Sequence, residues 1–288
     1  SLGHEGGYGT AILRDDSRLW VLWDLNVTDV GLGEGYFELH DRAIVSANNL
    51  FVGKGVGSTG VWQQSGGRLE LRSTGDVLQI GANGQGIWEQ TGGSVIAPRH
   101  WVAIGRYPGV RGILTLSGGE FAHTDPSRLF FVGEEGDGVL NLTGTGVLTT
   151  LGDRLVVAHT ASSSGTVNLD GGVLRVRRVA GGAGVSAFNF NGGLLQALPG
   201  AGPDLLYNLN AAYVLAGGAL IDTDTNQLTL SQNLADGGGG LVKLGNGSLT
   251  LLGNNSYRGP TVVSNGTLRI NGTTGPGTVT VRTGASLG

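Results

Sequence analysis

The sequence predicts an all-β fold, a right-handed parallel β-helix (β-solenoid) of about 26 residues per coil, and three observations carry that prediction. The first is repetition. Between Gly60 and Gly172 one phrase recurs five times, as GVWQQSGGRLEL, GIWEQTGGSVIA, GILTLSGGEFAH, GVLNLTGTGVLT and GTVNLDGGVLRV. Its anchor glycines are Gly66, Gly92, Gly118, Gly144 and Gly171, at steps of 26, 26, 26 and 27. Phe37 to Asp41 fits the same frame one period earlier, and the run from Phe188 fits it again at Gly192.

The second observation is alternation with period 2, which marks a strand with one buried face. Four positions before each anchor stand Phe37, Trp62, Trp88, Leu114, Leu140, Val167 and Phe188; two before it stand Leu39, Gln64, Gln90, Leu116, Leu142, Leu169 and Phe190. Three positions after it stand Ile44, Leu69, Val95, Phe121, Val147, Leu174 and Leu195. A second phrase adds Leu50 and Val52, Leu78 and Ile80, Val102 and Ile104, Phe130 and Val132, and Leu155 and Val157. All of these are expected inside. The intervening Glu38, Gln63, Glu89, Thr115, Asn141 and Asn168 suit solvent. Each unit thus carries about three short strands, and each strand pairs with the coils above and below at ~4.8 Å. The right hand follows from the strong preference of parallel crossovers.

The third is composition. Glycine supplies 56 of 288 residues without a G-X-Y period, which excludes collagen and leaves corner duty. Only 7 prolines, with branched and aromatic residues filling the columns, argue against disorder. A formal net charge of -4 argues against a nucleic-acid or anionic-membrane partner. With no cysteine there is no disulfide framework and no thiolate metal site. No apolar run reaches the ~18 residues of a membrane-spanning helix, and no signal peptide is visible.

In chain order, residues 1–30 read as an N-terminal coil and edge region, 31–198 as the repetitive solenoid, and 199–288 as its continuation. A first strand is expected at Ala11 to Leu13. Leu19 to Val27 alternates, with Leu25 and Val27 inward, and Trp20 and Trp23 are expected on opposite sides of a strand, so that one of them is exposed or covered by the terminal segment. Pro199 to Asp204 is the proline-glycine interruption and the expected seam. Further alternating stretches follow at Tyr213 to Asp222, Gln227 to Leu234 and Leu241 to Gly288. A start at Ser1 and a stop inside a strand-like phrase read as a processed or trimmed piece of a longer precursor.

The stretch Gly239 to Leu268, GGLVKLGNGSLTLLGNNSYRGPTVVSNGTL, resembles the autotransporter-associated β-strand repeat of bacterial surface and secreted proteins. The matching positions are Gly239, Gly240, Leu241, Lys243, Gly245, Gly247, Leu249, Leu251, Gly253, Asn255, Tyr257, Gly259, Thr261, Val263, Gly266 and Leu268. Ser256 stands where threonine is more usual and Pro260 where glycine often stands; neither alters the alternation. Ala219 to Leu234 resembles the segment that commonly precedes the repeat. The resemblance implies a β-helical passenger region, exported by a Gram-negative-type cell and exposed outside, and it implies no catalytic residues.

Chemistry-bearing constellations are sparse. A sugar-cleaving site on a β-helix needs clustered charges or paired carboxylates on one exposed face. The outward column of Glu38, Gln63, Glu89, Thr115, Asn141 and Asn168 is no such cluster. Glu134, Glu135 and Asp137 share one corner and are expected to be solvated. His4, His40, His100, His123 and His159 lack metal-site spacing; His100 and His123, in successive corners, are expected as a surface pair. Asp222, Asp224 and Asn226 open like a calcium loop but lack its glycine and distal glutamate, so a turn bonding its own backbone is expected. The Gly237 to Gly240 run has no following Lys-Ser/Thr and is no phosphate loop. Sequons at Asn26, Asn141, Asn246, Asn254, Asn265 and Asn271 carry little meaning in a bacterial protein. Trp62 and Trp88 share a column with Phe37 and Leu114, which favours core stacking over a sugar platform. Gln64 and Gln90 are expected to be buried and bonded to each other or to nearby backbone.

No catalytic, cofactor-binding or metal-binding residue is assigned. The expected function is a non-enzymatic extracellular structural solenoid: a surface stalk, adhesin or fibre subunit. The expected partners are further copies, paired end to end into an oligomer or filament, and surface glycans. The alternative is a carbohydrate-binding or polysaccharide-cleaving β-helix.

Overall fold

Parallel pairing at a fixed period turns each alternating column into a stack of identical contacts, and that is how the chain folds. The computed structural model describes residues 1–72 and 77–288 and forms a β-solenoid of about 10 turns. One turn shows the plan. Gln85–Gln90, Ser94–Ala97 and Trp101–Ile104 lie on three faces, and each pairs in parallel with its counterpart one turn earlier and one turn later. Among the described residues no helix is long and apolar enough to cross a membrane.

The inward columns form one continuous core. Phe37, Trp62, Trp88, Leu114, Leu140, Val167 and Phe188 pair in that order, and all are 0–1% exposed. Phe37 stacks on Trp62 at 4.3 Å and Trp62 on Trp88 at 4.9 Å, so these rings are core, as the column requires. Gln64 and Gln90 are both 1% exposed. Each amide nitrogen donates to backbone: Gln64 to the Gly67 and Ser94 carbonyls, Gln90 to the Gly93 and Glu120 carbonyls. The two amides do not bond to each other. The amide ladder forms outside instead, where Asn141 donates to Thr115, Asn168 to Asn141 and Asn189 to Asn168.

Two inward assignments shift by one residue. Val45, not Ile44, pairs with Leu69, and Leu148, not Val147, pairs with Phe121; both are 0% exposed. Each preceding corner holds one residue more than the usual Gly-Gly corner. At His40 to Ala43 the extra residue is absorbed with Asp41 at φ 51°, and at Gly144 to Gly146 the register slips between Gly144 and Val147. The regular corner demands glycine: Gly93 has φ 73°, and a Cβ there would lie 2.2 Å from the Gly66 carbonyl oxygen.

The N-terminal turn differs from expectation in one respect. Tyr8–Leu13 is the first strand, but the stretch from Leu19 divides into Arg18–Trp20 and Asp24–Asn26 around a bend. Because Trp23 sits in that bend and not on a strand, Trp20 and Trp23 are both exposed, at 64% and 76%. Leu25 and Val27 are buried as expected.

The turn contracts toward the C-terminus. Bonded neighbours on the Asn ladder lie 26, 27 and then 21 residues apart. The third face runs from Asp24–Asn26 to Leu206–Tyr207, and a separate stack of Gln227–Leu230, Ser248–Leu251, Thr267–Ile270 and Ser286–Leu287 follows it. Asp204 bridges to Thr229 where the two stacks meet.

Candidate ligand-binding face

The outer surface of the third face carries a largely apolar outward row, as the first face does at Tyr36, Val61, Ile87, Ile113 and Val139. By register, Gln79, Ala103, Phe131, Val156, Ala180 and Tyr207 form one outward row. Ala103, Phe131 and Val156 are 0%, 7% and 4% exposed and form a small apolar cluster separate from the solenoid core, with Trp101 and Leu129 packed against it. Trp101 and Phe131 meet at 5.8 Å with tilted rings, and His159 stands edge-on to Phe131 at 5.0 Å.

Charged groups close one side of this cluster. The Arg106 guanidinium lies 4.8 Å from the Trp101 ring and 4.4 Å from the Tyr107 ring. It pairs with Glu134 at 3.3 Å and also with Glu135. The expectation that Glu134 is solvated is therefore wrong: it is 4% exposed, folded under Arg106 because the corner turns its side chain back over the sheet. Burial pushes the Glu134 carboxyl up to about 7, against the pull of Arg106 and with a smaller push from Glu135. Among the described residues Glu134 Oε2 makes no hydrogen bond beyond its ion-pair contact with Arg106, and Trp101 Nε1 is buried. Glu135 stays half-buried, and Asp137 is exposed and accepts from the Ser164 hydroxyl at 2.6 Å.

On the other side lies a cleft of about 210 Å³ lined by Trp101, Ser127, Arg128, Leu129 and Phe131. It opens at the corner that joins the second face to the third. From Arg72 to Arg178 those corners carry Arg72, Arg99, Arg128, Arg154, Arg177 and Arg178, against Asp125 and Asp153 among the described residues. Asp125 is already engaged: burial opposes its ionisation, but the Ser127 hydroxyl and amide, at 2.7 and 2.8 Å, hold its pKa below the ordinary value. Asp153 pairs with Arg154 at 2.8 Å and with Arg178, and the Arg178 hydrogen bond is the main reason its pKa is lowered. Arg99 and Arg128 form no ion pair among the described residues. Arg72 packs over the exposed Trp20 ring at 4.9 Å. The result is a cationic, aromatic-studded edge on a protein whose net charge is -4.

His100 and His123 do not form a surface pair. Both are 0% exposed, because their corners fold the rings inward beneath the third face. His123 Nε2 donates to the His100 carbonyl oxygen and its Nδ1 accepts from the Thr150 hydroxyl, each at 2.8 Å. Burial pushes His123 down to about 4, which keeps it neutral. His40 instead joins Glu38 and Ser65 at the surface, and His4 is exposed beside Glu5. Asp222, Asp224 and Asn226 form the expected turn: Asp222 accepts from the Asp224 amide at 2.7 Å, and Asn226 donates to the Thr223 carbonyl at 3.0 Å.

Sequence reasoning missed the outer apolar face. The available signal was the bulky residue at the outward slot of the second phrase, Phe131 between Phe130 and Val132, with Trp101 beginning the same phrase one coil earlier.

The last turns carry the segment for which comparison with known proteins is decisive. Residues 241–270 match the model of the passenger-associated-transport-repeat family. No curated protein and no solved structure matches the chain. The passenger repeat and the β-solenoid together fit an autotransporter passenger β-helix. The geometry explains why the repeat keeps polar residues at inward positions. Lys243 is 0% exposed and donates to the carbonyls of Leu244, Gly245 and Asn265 at 2.7, 2.7 and 3.1 Å. Asn255 accepts from the Leu234 amide and donates to the Gly253 and Thr273 carbonyls. Tyr257, 0% exposed, meets the Thr261 hydroxyl at 2.7 Å. Lys243 and Asn255 thereby satisfy backbone groups at their corners, while Tyr257 and Thr261 satisfy each other's hydroxyls.

Proposed function

We propose that this chain is a non-enzymatic structural segment of an exported passenger, held outside a Gram-negative-type cell as a stalk or adhesin that also associates end to end. The observation that carries the reading is the passenger repeat at residues 241–270, in register with the solenoid that precedes it. The outward columns support it. They are filled by the Asn141–Asn168–Asn189 ladder and by surface pairs such as Gln63 with Glu89, contacts that hold a rod together. Glu134 has a raised pKa, but it is buried and paired with Arg106, which suits packing better than proton transfer to a bound substrate.

The test is direct. The purified protein is incubated with a panel of neutral and acidic polysaccharides, and new reducing ends are measured; none above the buffer rate is expected. Turnover removed by Glu134→Gln would replace the structural reading with a polysaccharide-cleaving one. Protease accessibility of the solenoid on intact cells checks the location, and sedimentation across a concentration series checks self-association. A monodisperse monomer at every concentration ends the end-to-end part.

A further inference from the structure

We infer that the arginine-lined edge beside Trp101 binds an acidic glycan, a chain of uronate residues running along the solenoid axis, with one pyranose ring in the Trp101 cleft and its carboxylates on Arg99 and Arg128. The inference rests on the reading of an exposed passenger, and four observations carry it. The cleft of about 210 Å³ has an apolar floor, Trp101, Leu129 and Phe131, beside polar Ser127 and cationic Arg128. An apolar floor with a polar, charged rim matches a pyranose, which presents C–H groups on its faces and oxygens at its edge. Arg99 and Arg128, one turn apart, form no ion pair among the described residues, whereas Asp153 is shared by Arg154 and Arg178. Arg72 and Arg177 also lack an ion pair but donate to the Val21 and Leu151 carbonyls, which leaves Arg99 and Arg128 as the guanidinium groups bonded to no other group among the described residues, and guanidinium pairs bidentately with carboxylate.

The third observation is periodicity. Corners stack at the ~4.8 Å spacing of parallel strands, comparable to the length of one sugar residue, so a glycan lying along the axis meets a new corner with each residue. The fourth is charge placement. In sequence these corners hold six arginines against three aspartates, Asp76, Asp125 and Asp153, although the whole chain is net negative, so the positive charge is local to one edge. An aromatic floor serves a sugar ring and gives nothing to an inorganic polyanion. That difference makes the occupant testable.

The experiment uses the purified chain and oligogalacturonate as probe, with binding followed by calorimetry. Saturable binding is expected, weakened by added salt, and lost when the probe's carboxylates are methyl-esterified. Arg128→Gln and Trp101→Ala are each expected to weaken binding on the order of tenfold, the loss of one charge-assisted or stacking contact. Trp101→Phe is expected to recover most of the second loss. Arg282→Gln, at the far C-terminal end, is expected to change nothing. A melting curve for each variant separates lost binding from lost folding. Equal affinity for the methyl ester, or no effect of Arg128→Gln in a folded variant, overturns the proposal. So does polyphosphate binding as tightly and indifferently to Trp101, which would mean charge attraction alone. Binding to anionic vesicles that exceeds the glycan overturns it in favour of a membrane surface. Surface exposure is measured separately by protease access on cells, so a buried or intracellular solenoid fails that test without touching this one.

Discussion

The turns between Thr59 and Val176 and the turns of the passenger repeat build the same solenoid by different means. In the first region, bonded neighbours lie 26 or 27 residues apart and the core is wide enough for stacked rings, Trp62 on Trp88. In the second, strand partners lie 20, 19 and 18 residues apart, as between Lys243 and Val263, Leu249 and Leu268, and Val263 and Val281. One face there has no long strand; the inward Lys243 and Asn255 bond its backbone, and Tyr257 bonds the Thr261 hydroxyl. A long turn buries area; a short turn, with fewer strand bonds, must buy its closure with polar side chains. The contrast teaches that a buried polar residue in a solenoid is a corner fitting, and that its removal should be felt locally.

The largest break in this comparison is expected in the wide turns. Leu142 is 0% exposed, so Leu142→Asp places an unpaired charge in the core and is expected to cost several kcal/mol, on the order of 4. Its neighbour is the control. Asn141 points outward but belongs to the ladder, so Asn141→Asp loses its donation to Thr115 and is expected to cost about 1 kcal/mol. Thermal melts decide; equal melting temperatures would refute the alternation.

In the short turns, Lys243→Met keeps the length of the side chain but strands the Gly245 and Asn265 carbonyls, while that of Leu244 still accepts from Thr223, at a cost of about 2 kcal/mol. Hydrogen exchange should accelerate around residues 241–270 and leave the turns at 85–116 unchanged. A uniform acceleration would mean that the two regions unfold as one unit, and unchanged exchange would mean that the ammonium is no fitting.

A pH titration sharpens the comparison on the other side. His123 titrates in the folded protein near 4, below its ordinary 6.5, because burial disfavours the cation. Between those values the unfolded chain holds the extra proton, so the contribution is present above pH 6.5 and is lost as pH falls toward 4, up to about 3 kcal/mol. Glu134, pushed up to about 7 from 4.5, works oppositely: its contribution is present below pH 4.5 and is lost as pH rises through 7. His123→Gln should therefore flatten the acid side of the stability profile of the wide turns, and an unchanged acid limb would place the titrating group elsewhere.

The smallest effect is expected at Gln90. Its Oε1 is buried without a partner, and its nitrogen makes only long bonds of 3.3 Å. Gln90→Leu restores the residue type of Leu116 and Leu142 and is expected to be neutral or to stabilise by about 1 kcal/mol. A loss of more than that would show the amide to be a true fitting, like Lys243.

Most of the solenoid was legible because its side-chain period is 2 and its turn period nearly constant. Those two numbers place Trp62 over Trp88 and Val132 over Val157 without any coordinates. What they could not place was decided at corners. One added residue before Val45, and another before Leu148, moved the inward column by a position, since slipping a strand by one residue exchanges its faces. Corner geometry also turned His100 and His123 inward and folded Glu134 under Arg106. The candidate face was hidden for a related reason. Trp101, Leu129, Arg128 and Phe131 come from successive turns, and their sequence spacing has no meaning until the coils are stacked. Alternation and period, which are local, were set by the amino-acid sequence alone. Which corner side chains turn inward, and which outward residues meet across turns, was decided by tertiary structure, because each depends on a neighbour about 26 residues away that the local pattern does not see.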